Sequence, residues 1–157
     1  MNNLNVSVQT ADFDAACLQR ELLSASHEEG AVVAFTGYVR SENAGQCISS
    51  LLLEHYPGMT ERSILHILSQ ASERWPIAAA SVVHRVGLLG VGDQIVWVGV
   101  SSAHREAAFS ACEFVMDYLK NEAPFWKKES TAKGDRWVEA RATDEERARR
   151  WLGQTGN

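Results

Sequence analysis

The sequence has few cysteines: Cys17, Cys47 and Cys112 are the only thiols, and no C-x-x-C pair links them. An odd, scattered set of this kind builds neither a disulfide framework nor a zinc site. H-E-x-x-H and H-x-x-E-H are both missing, so no metal is expected, and no G-x-S-x-G or Ser-His-Asp order offers an activated serine. No apolar run approaches the ~18 residues that a membrane helix needs. The start, Met1 to Asn5, lacks the basic and apolar regions of a signal peptide. The expected location is therefore the cytoplasm, away from membranes. Proline is limited to Pro57, Pro76 and Pro124, and no repeat or Pro/Gly-rich linker divides the chain. The whole of residues 1–157 reads as a single domain.

Lysine is absent from the first 100 residues, which carry 5 arginines and 10 acids, whereas the remaining 57 carry 10 bases and 10 acids. All four lysines, Lys120, Lys127, Lys128 and Lys133, fall within fourteen residues. A net charge of −5 with one local cationic patch suits a small anionic ligand better than a nucleic acid. A solvated lysine-rich face is the plainer alternative. The 45% hydrophobic and 22% charged composition is that of a globular protein. At this length a chain buries roughly 68–70% of its unfolded surface, enough for a core without staples.

Leu4, Val6 and Val8 alternate with polar residues as in a half-buried strand. Asp12 is a candidate cap for a helix carrying Leu18, Leu22 and Ala25. Residues 30–39 form a nearly continuous apolar strand, a pattern usual for strands buried on both faces. Residues 41–46 read as a polar loop, and residues 48–56 as the next strand. Ile64, Ile67, Leu68, Ala71 and Trp75 share one helix face that ends at Pro76. Two strands, 80–86 and 94–100, flank a glycine-rich connection at 87–93 that reads as a turn and lacks any phosphate-loop pattern. The longest helix spans about 103–121, followed by two short strands at 125–131 and 136–140 around a Lys133-Gly134-Asp135 turn. Thr143 and Glu146 form a capping box for a last helix ending near Trp151. The fold class is α+β, with helices covering a largely antiparallel sheet.

Ser101-Ser102-Ala103-His104-Arg105 opens the longest helix. A helix N-terminus attracts anions, and cations there are disfavoured for helix stability, so His104 and Arg105 are candidates for function. An exposed pair tolerated at small cost is the alternative. Arg40 follows an apolar strand and Lys120 lies in the last helical turn, where the helix dipole alone would explain a lysine. Phe125, Trp126, Lys127 and Lys128 suit a flat, anionic heteroaromatic ligand, or equally a charge-protected edge strand. His55, Tyr56 and His84 have no ligand spacing and read as hydrogen-bonded structural residues.

Together, GAVVAFTGYVR (30–40), LEHYPGM (53–59), SSAHR (101–105), DYLK (117–120), APFWKKE (123–129) and GDRWVEAR (134–141) resemble the large, catalytic subunit of molybdopterin synthase. The resemblance covers roughly residues 4–151, and APFWKKE with GDRWVEAR is its most specific part. It implies an α/β hammerhead-type fold with a small extra β subdomain. The implied activity is sulfur transfer from the C-terminal thiocarboxylate of a small ubiquitin-like carrier subunit to cyclic pyranopterin monophosphate, precursor Z, forming the dithiolene of molybdopterin. No cofactor is implied. The implied assembly is a homodimer within a heterotetramer. By position, Lys120 would contact the carrier's terminal glycine and Lys127 would face the pterin, either of them able to act as acid or base. Arg40, His104 and Arg105 would bind the phosphate, with Tyr38, Val39, Lys128 and Glu129 lining the pocket. His104 and Lys120 are sixteen residues apart on one helix, about 24 Å and on opposite faces, so a composite site with His104 and Arg105 from the dimer mate is expected. A non-catalytic module for a ubiquitin-like tail, a cysteine-dependent persulfide transferase and a nucleic-acid-binding patch are the competing readings.

Overall fold

The computed structural model describes residues 3–138 and 142–153. The chain runs β1 (Asn3–Gln9), α1 (Ala15–Glu21), β2 (Ala31–Tyr38), β3 (Glu42–Asn43), β4 (Gln46–His55) and α2 (Met59–Arg74). It continues through β5 (Ile77–Arg85), β6 (Gly87–Gly90), β7 (Gln94–Ser102), α3 (Arg105–Glu122), β8 (Phe125–Thr131), β9 (Gly134–Val138) and α4 (Ala142–Arg149). The mixture is α+β, as expected from the sequence.

Two sheets form. The first has the order β1-β5-β7-β2, with β1 parallel to β5 and the other pairs antiparallel. Strand alternation divides its residues between two faces. Val96, Val98 and Val100 of β7 pack with Ile64, Ile67 and Leu68 of α2 and with Phe114 and Val115 of α3. Trp97 points the other way, onto Leu22 and the residues of α1. Burying each large side chain in this core contributes about 1.5–3 kcal/mol.

The second sheet has the order β3-β4-β8-β9, with β6 also paired to β4. Its small core joins Leu51, Leu53 and Leu89 to Val39 and Val86. Both β3 and β6 depart from the sequence expectation of a loop and a turn. Residues 41–46 close a short hairpin through Ala44 and Gly45, both at positive φ, with Asn43 opposite Gln46. Gly87 does sit in a left-handed conformation, but Leu89 behind it is 1% exposed and pairs with Leu51, which makes this stretch a strand.

Both α1 and α4 depart from the sequence reading at their starts. Asp14, and not Asp12, caps α1, its carboxylate accepting from the Ala16 and Cys17 N–H groups at 2.9 and 3.2 Å. The Asp12 carboxylate instead accepts from Gln94 at 2.9 Å, and Ala25 lies beyond the helix. Helix α4 begins at Ala142, so Thr143 sits inside its first turn instead of capping it. Residues 139–140 of the expected last strand lie outside the described residues.

The largest departure concerns β2. Its apolar run suggested burial on both faces, yet β2 is an edge strand, with Phe35 40% and Tyr38 55% exposed.

A buried carboxylate, the exposed Glu113 and Asn121 tie the C-terminal segment to α3. Asp117 accepts from the Trp151 indole N–H at 2.8 Å and from Arg150 Nη2 at 2.9 Å. Trp151 also packs edge-on against Trp75 and Phe114. Asn121 donates to the Asp144 carbonyl at 2.7 Å, which fixes the first turn of α4 beside the end of α3. Replacing Asp117 by Ala would strand a buried indole N–H and lose a charged partner, at a cost of about 2–4 kcal/mol. Urea unfolding of Asp117→Ala should show that loss in its midpoint. A change within about 0.5 kcal/mol would mean that the aromatic contacts, Asn121–Asp144 and Arg150–Glu113 hold this segment without Asp117.

Candidate active site

A cavity of about 650 Å³ opens where the two sheets meet. That volume lies within the ~300–1,000 Å³ usual for small-molecule sites. One wall is the end of β2 with Tyr38, Val39 and Arg40; another is the last turns of α3 with Met116, Leu119 and Lys120. Strand β8 supplies Phe125, Lys127 and Glu129, and β5 supplies His84. Asp144 of α4 closes one side.

The period-two alternation of β8 selects its contribution. Phe125, Lys127 and Glu129 share the cavity face, while Trp126 and Lys128 point away from it. Lys128 reaches Asp135 at 3.9 Å and lies 5.6 Å from the centre of the Trp137 ring. The expectation that Lys128 lines the pocket is thus not met by its position. The other members of the same segment do come together, with Lys127 half-buried on the cavity face and Lys120 exposed at the C-terminal end of α3.

Glu129 is 5% exposed and fully engaged. Its carboxylate accepts from Asn43 Nδ2 at 2.7 Å, and from Arg136 Nε and Nη2 at 3.1 and 3.0 Å. Arg136 Nη2 also donates to the Asn43 carbonyl at 3.0 Å. A buried carboxylate is costly unless paired, and Arg136, with both nitrogens on Oε2, together with Asn43 on Oε1 meets that need. The network ties β3, β8 and β9 into one wall, with Arg40 Nη2 reaching Asn43 Oδ1 at 3.4 Å. Arg136 and Asn43 were missed in the sequence, although the signal for Arg136 was there. Thr131 pairs with Gly134 across the β8–β9 turn, so counting outward puts Glu129 opposite Arg136.

His104 and Arg105 are not in this cavity. His104 is the residue preceding α3, with its backbone N–H 3.4 Å from Ser102 Oγ, and both side chains are exposed. Lys120 is at the opposite end of the same helix, about 24 Å away.

His84 also lines the cavity, a role the sequence gave no sign of. It is 5% exposed, its Nδ1 lies 2.8 Å from the Arg85 carbonyl, and its ring stacks on Phe125 at 3.8 Å. Burial, reinforced by the positive charge of Lys127, pushes its pKa from the usual 6.5 down to about 4.

A mixed α+β chain with a cleft walled by an arginine and two lysines has the electrostatics that suit the class of proteins holding a small anionic ligand. Comparison with known proteins narrows that class. A family model described as MoaE protein matches residues 8–122. A molybdopterin synthase catalytic subunit from Vibrio cholerae is 56% identical over 146 residues, 93% of this chain and 97% of that protein. The solved molybdopterin biosynthesis MoaE protein of Burkholderia ambifaria superposes with a TM-score of 0.81 at 45% identity, covering 98% of this chain and 100% of the other. A Helicobacter pylori complex of subunits 1 and 2 of molybdopterin-converting factor shares the fold, at 19% identity and a TM-score of 0.70 over 87% of this chain and 91% of its own. The chain belongs to the MoaE protein family. Its function is that of the molybdopterin synthase catalytic subunit, a sulfurtransferase of molybdenum cofactor biosynthesis.

The depressed pKa of His84 has a consequence for stability. Between pH 4 and 6.5 the unfolded chain binds this proton and the folded chain does not, so stability falls as pH drops through that window. The slope from this one group reaches about 1.4 kcal/mol per pH unit. Denaturation curves of wild type and His84→Asn from pH 4 to 7 should differ in slope across that range. Parallel curves would show that the histidine titrates normally.

Proposed function

We propose that the cavity is where the carrier's thiocarboxylate meets precursor Z, with Lys120 at the carrier's terminal glycine and Lys127 facing the pterin. The observation carrying this reading is the convergence of Arg40, Lys120 and Lys127, from three separate elements, on one cleft. Two unit negative charges 4 Å apart repel by about 4 kcal/mol at an effective dielectric of 20. Substrate and donor tail are both anionic, so cations between them offset the barrier to their approach. Each transfer forms a carbon–sulfur bond on the pterin at the expense of a carbon–oxygen bond, one opening the cyclic phosphate and the other leaving as water, while water cleaves the carrier's carbon–sulfur bond and leaves its glycine as a carboxylate. Either ammonium can stabilise the developing negative charge or move the proton. Tyr38, Val39 and the Glu129–Arg136 pair shape the wall, and the whole chain acts as one domain in the cytoplasm.

The partners of this reading are a small ubiquitin-like sulfur-carrier subunit and a second copy of the chain, giving a heterotetramer. The exposed edge strand β2 supports the second copy. Its first residue, Ala31, pairs with Ser102, close to His104, whereas its last, Tyr38, lines the cavity. The seven rises from Ala31 to Tyr38 span about 24 Å, matching the helical separation of His104 from Lys120. Antiparallel pairing of two β2 edges about a two-fold axis would therefore bring the mate's His104 and Arg105 toward this chain's cavity. They would there supply the phosphate contacts.

Single-turnover assays with precursor Z and thiocarboxylated carrier test the reading. Wild type should form molybdopterin and Lys120→Ala should form at least a hundredfold less. Binding of the carrier by wild type without any product would favour a non-catalytic module instead. The shared site has its own test in mixed dimers of Lys120→Ala and Arg105→Ala. Each variant alone should be inactive, and subunit exchange should restore about a quarter of wild-type activity, since half the dimers then carry one intact site. No recovery after exchange would rule out the composite arrangement.

A further inference from the structure

Seven of the residues lining the cavity are nearly buried, and only two of these, His84 and Glu129, are polar. Glu129 has its carboxylate occupied by Asn43 and Arg136. His84 is differently placed. A carbonyl only accepts, so the 2.8 Å contact to the Arg85 carbonyl fixes the ring proton on Nδ1. The neutral ring then has one lone pair left, on Nε2. The near-parallel stack on Phe125, with 18° between the planes, fixes the ring's orientation. Among the described residues, no hydrogen bond to Nε2 is present.

The surrounding side chains make that lone pair useful. Arg40, Lys120 and Lys127 only donate, and the Asp144 carboxylate belongs to α4 on another side of the cavity. A flat heteroaromatic ligand with ring N–H groups needs acceptors as well as cations. We infer that His84 is a specificity-determining residue, whose Nε2 accepts a hydrogen bond from a ring N–H of the pterin. The inference rests on the pterin reading of the cavity. Because burial holds the imidazole pKa near 4, the acceptor persists at neutral pH beside Lys127. A buried acceptor without its donor penalises analogues that lack the N–H, which is how such a site discriminates.

Two substitutions separate recognition from structure. His84→Asn retains an N–H near the Nδ1 position for the Arg85 carbonyl and removes the acceptor. His84→Gln places an amide oxygen near the Nε2 position. With full-length protein and carrier present, His84→Asn should raise the KM and Kd for precursor Z about tenfold while changing kcat less than twofold. His84→Gln should stay within about threefold of wild type. Unchanged pterin affinity in His84→Asn, or equal losses in both variants, would overturn the inference and leave His84 a structural residue. Wild-type protein provides a second test if the variants fold poorly. A pterin methylated on its ring nitrogens should bind at least tenfold more weakly than the parent, and equal binding would overturn the inference. Failure of the wild type to bind or convert precursor Z at all would instead remove the pterin reading itself.

Discussion

The carboxylate of Glu129 is almost removed from water, and the mouth of the cavity is organised around neutralising it. Arg136 grips it from the neighbouring strand and Asn43 from a two-residue strand 86 positions earlier in the chain. Removing one partner of such a pair costs about 3–5 kcal/mol, because the other charge is left buried and alone. That penalty holds β3, β8 and β9 in register, and register decides which side chains of β8 face inward. Lys127 is presented to the cavity because Glu129, two residues on, must be.

The second constraint is the seam itself. One sheet is packed by α2 and α3 on one face and by the short α1 on the other, which leaves only the ends of β2, β5 and β7 to line the cavity. The smaller sheet meets it near His84 and Phe125, whose stacked rings join β5 to β8. Polar chemistry concentrates where the two cores, which share only a few partly buried residues, leave a gap. Helix α3 ends at this gap and delivers Lys120 there, while its other end carries His104 and Arg105 away from it. A single rigid helix thus keeps Lys120 about 24 Å from His104 within one chain.

Much of this was legible in the sequence. The 3.6-residue spacing of Ile64, Ile67, Leu68 and Ala71 and the stops at Pro76 and Pro124 gave the C-terminal ends of α2 and α3 closely, while the start of α2 at Met59 was not read. The resemblance carried by APFWKKE and GDRWVEAR gave the family. What failed did so for physical reasons. An apolar run does not distinguish a central strand from an edge strand with exposed side chains, which is why β2 was not seen as an edge. Asn43 was hidden because a two-residue strand has no periodicity. Lys128 was recoverable, since a strand assignment for β8 already implied that adjacent lysines face opposite ways. His84 carried no signal, because its neighbours in space, Phe125 and Lys127, are some forty residues distant.

The central claim is that strand alternation on β8, and not lysine density, defines the binding site. Equilibrium binding of precursor Z to wild type, Lys127→Ala and Lys128→Ala tests it most directly. The account predicts a loss of at least tenfold in affinity for Lys127→Ala and less than threefold for Lys128→Ala at the same ionic strength. Equal losses in the two variants would contradict it and return the site to an undifferentiated cationic face.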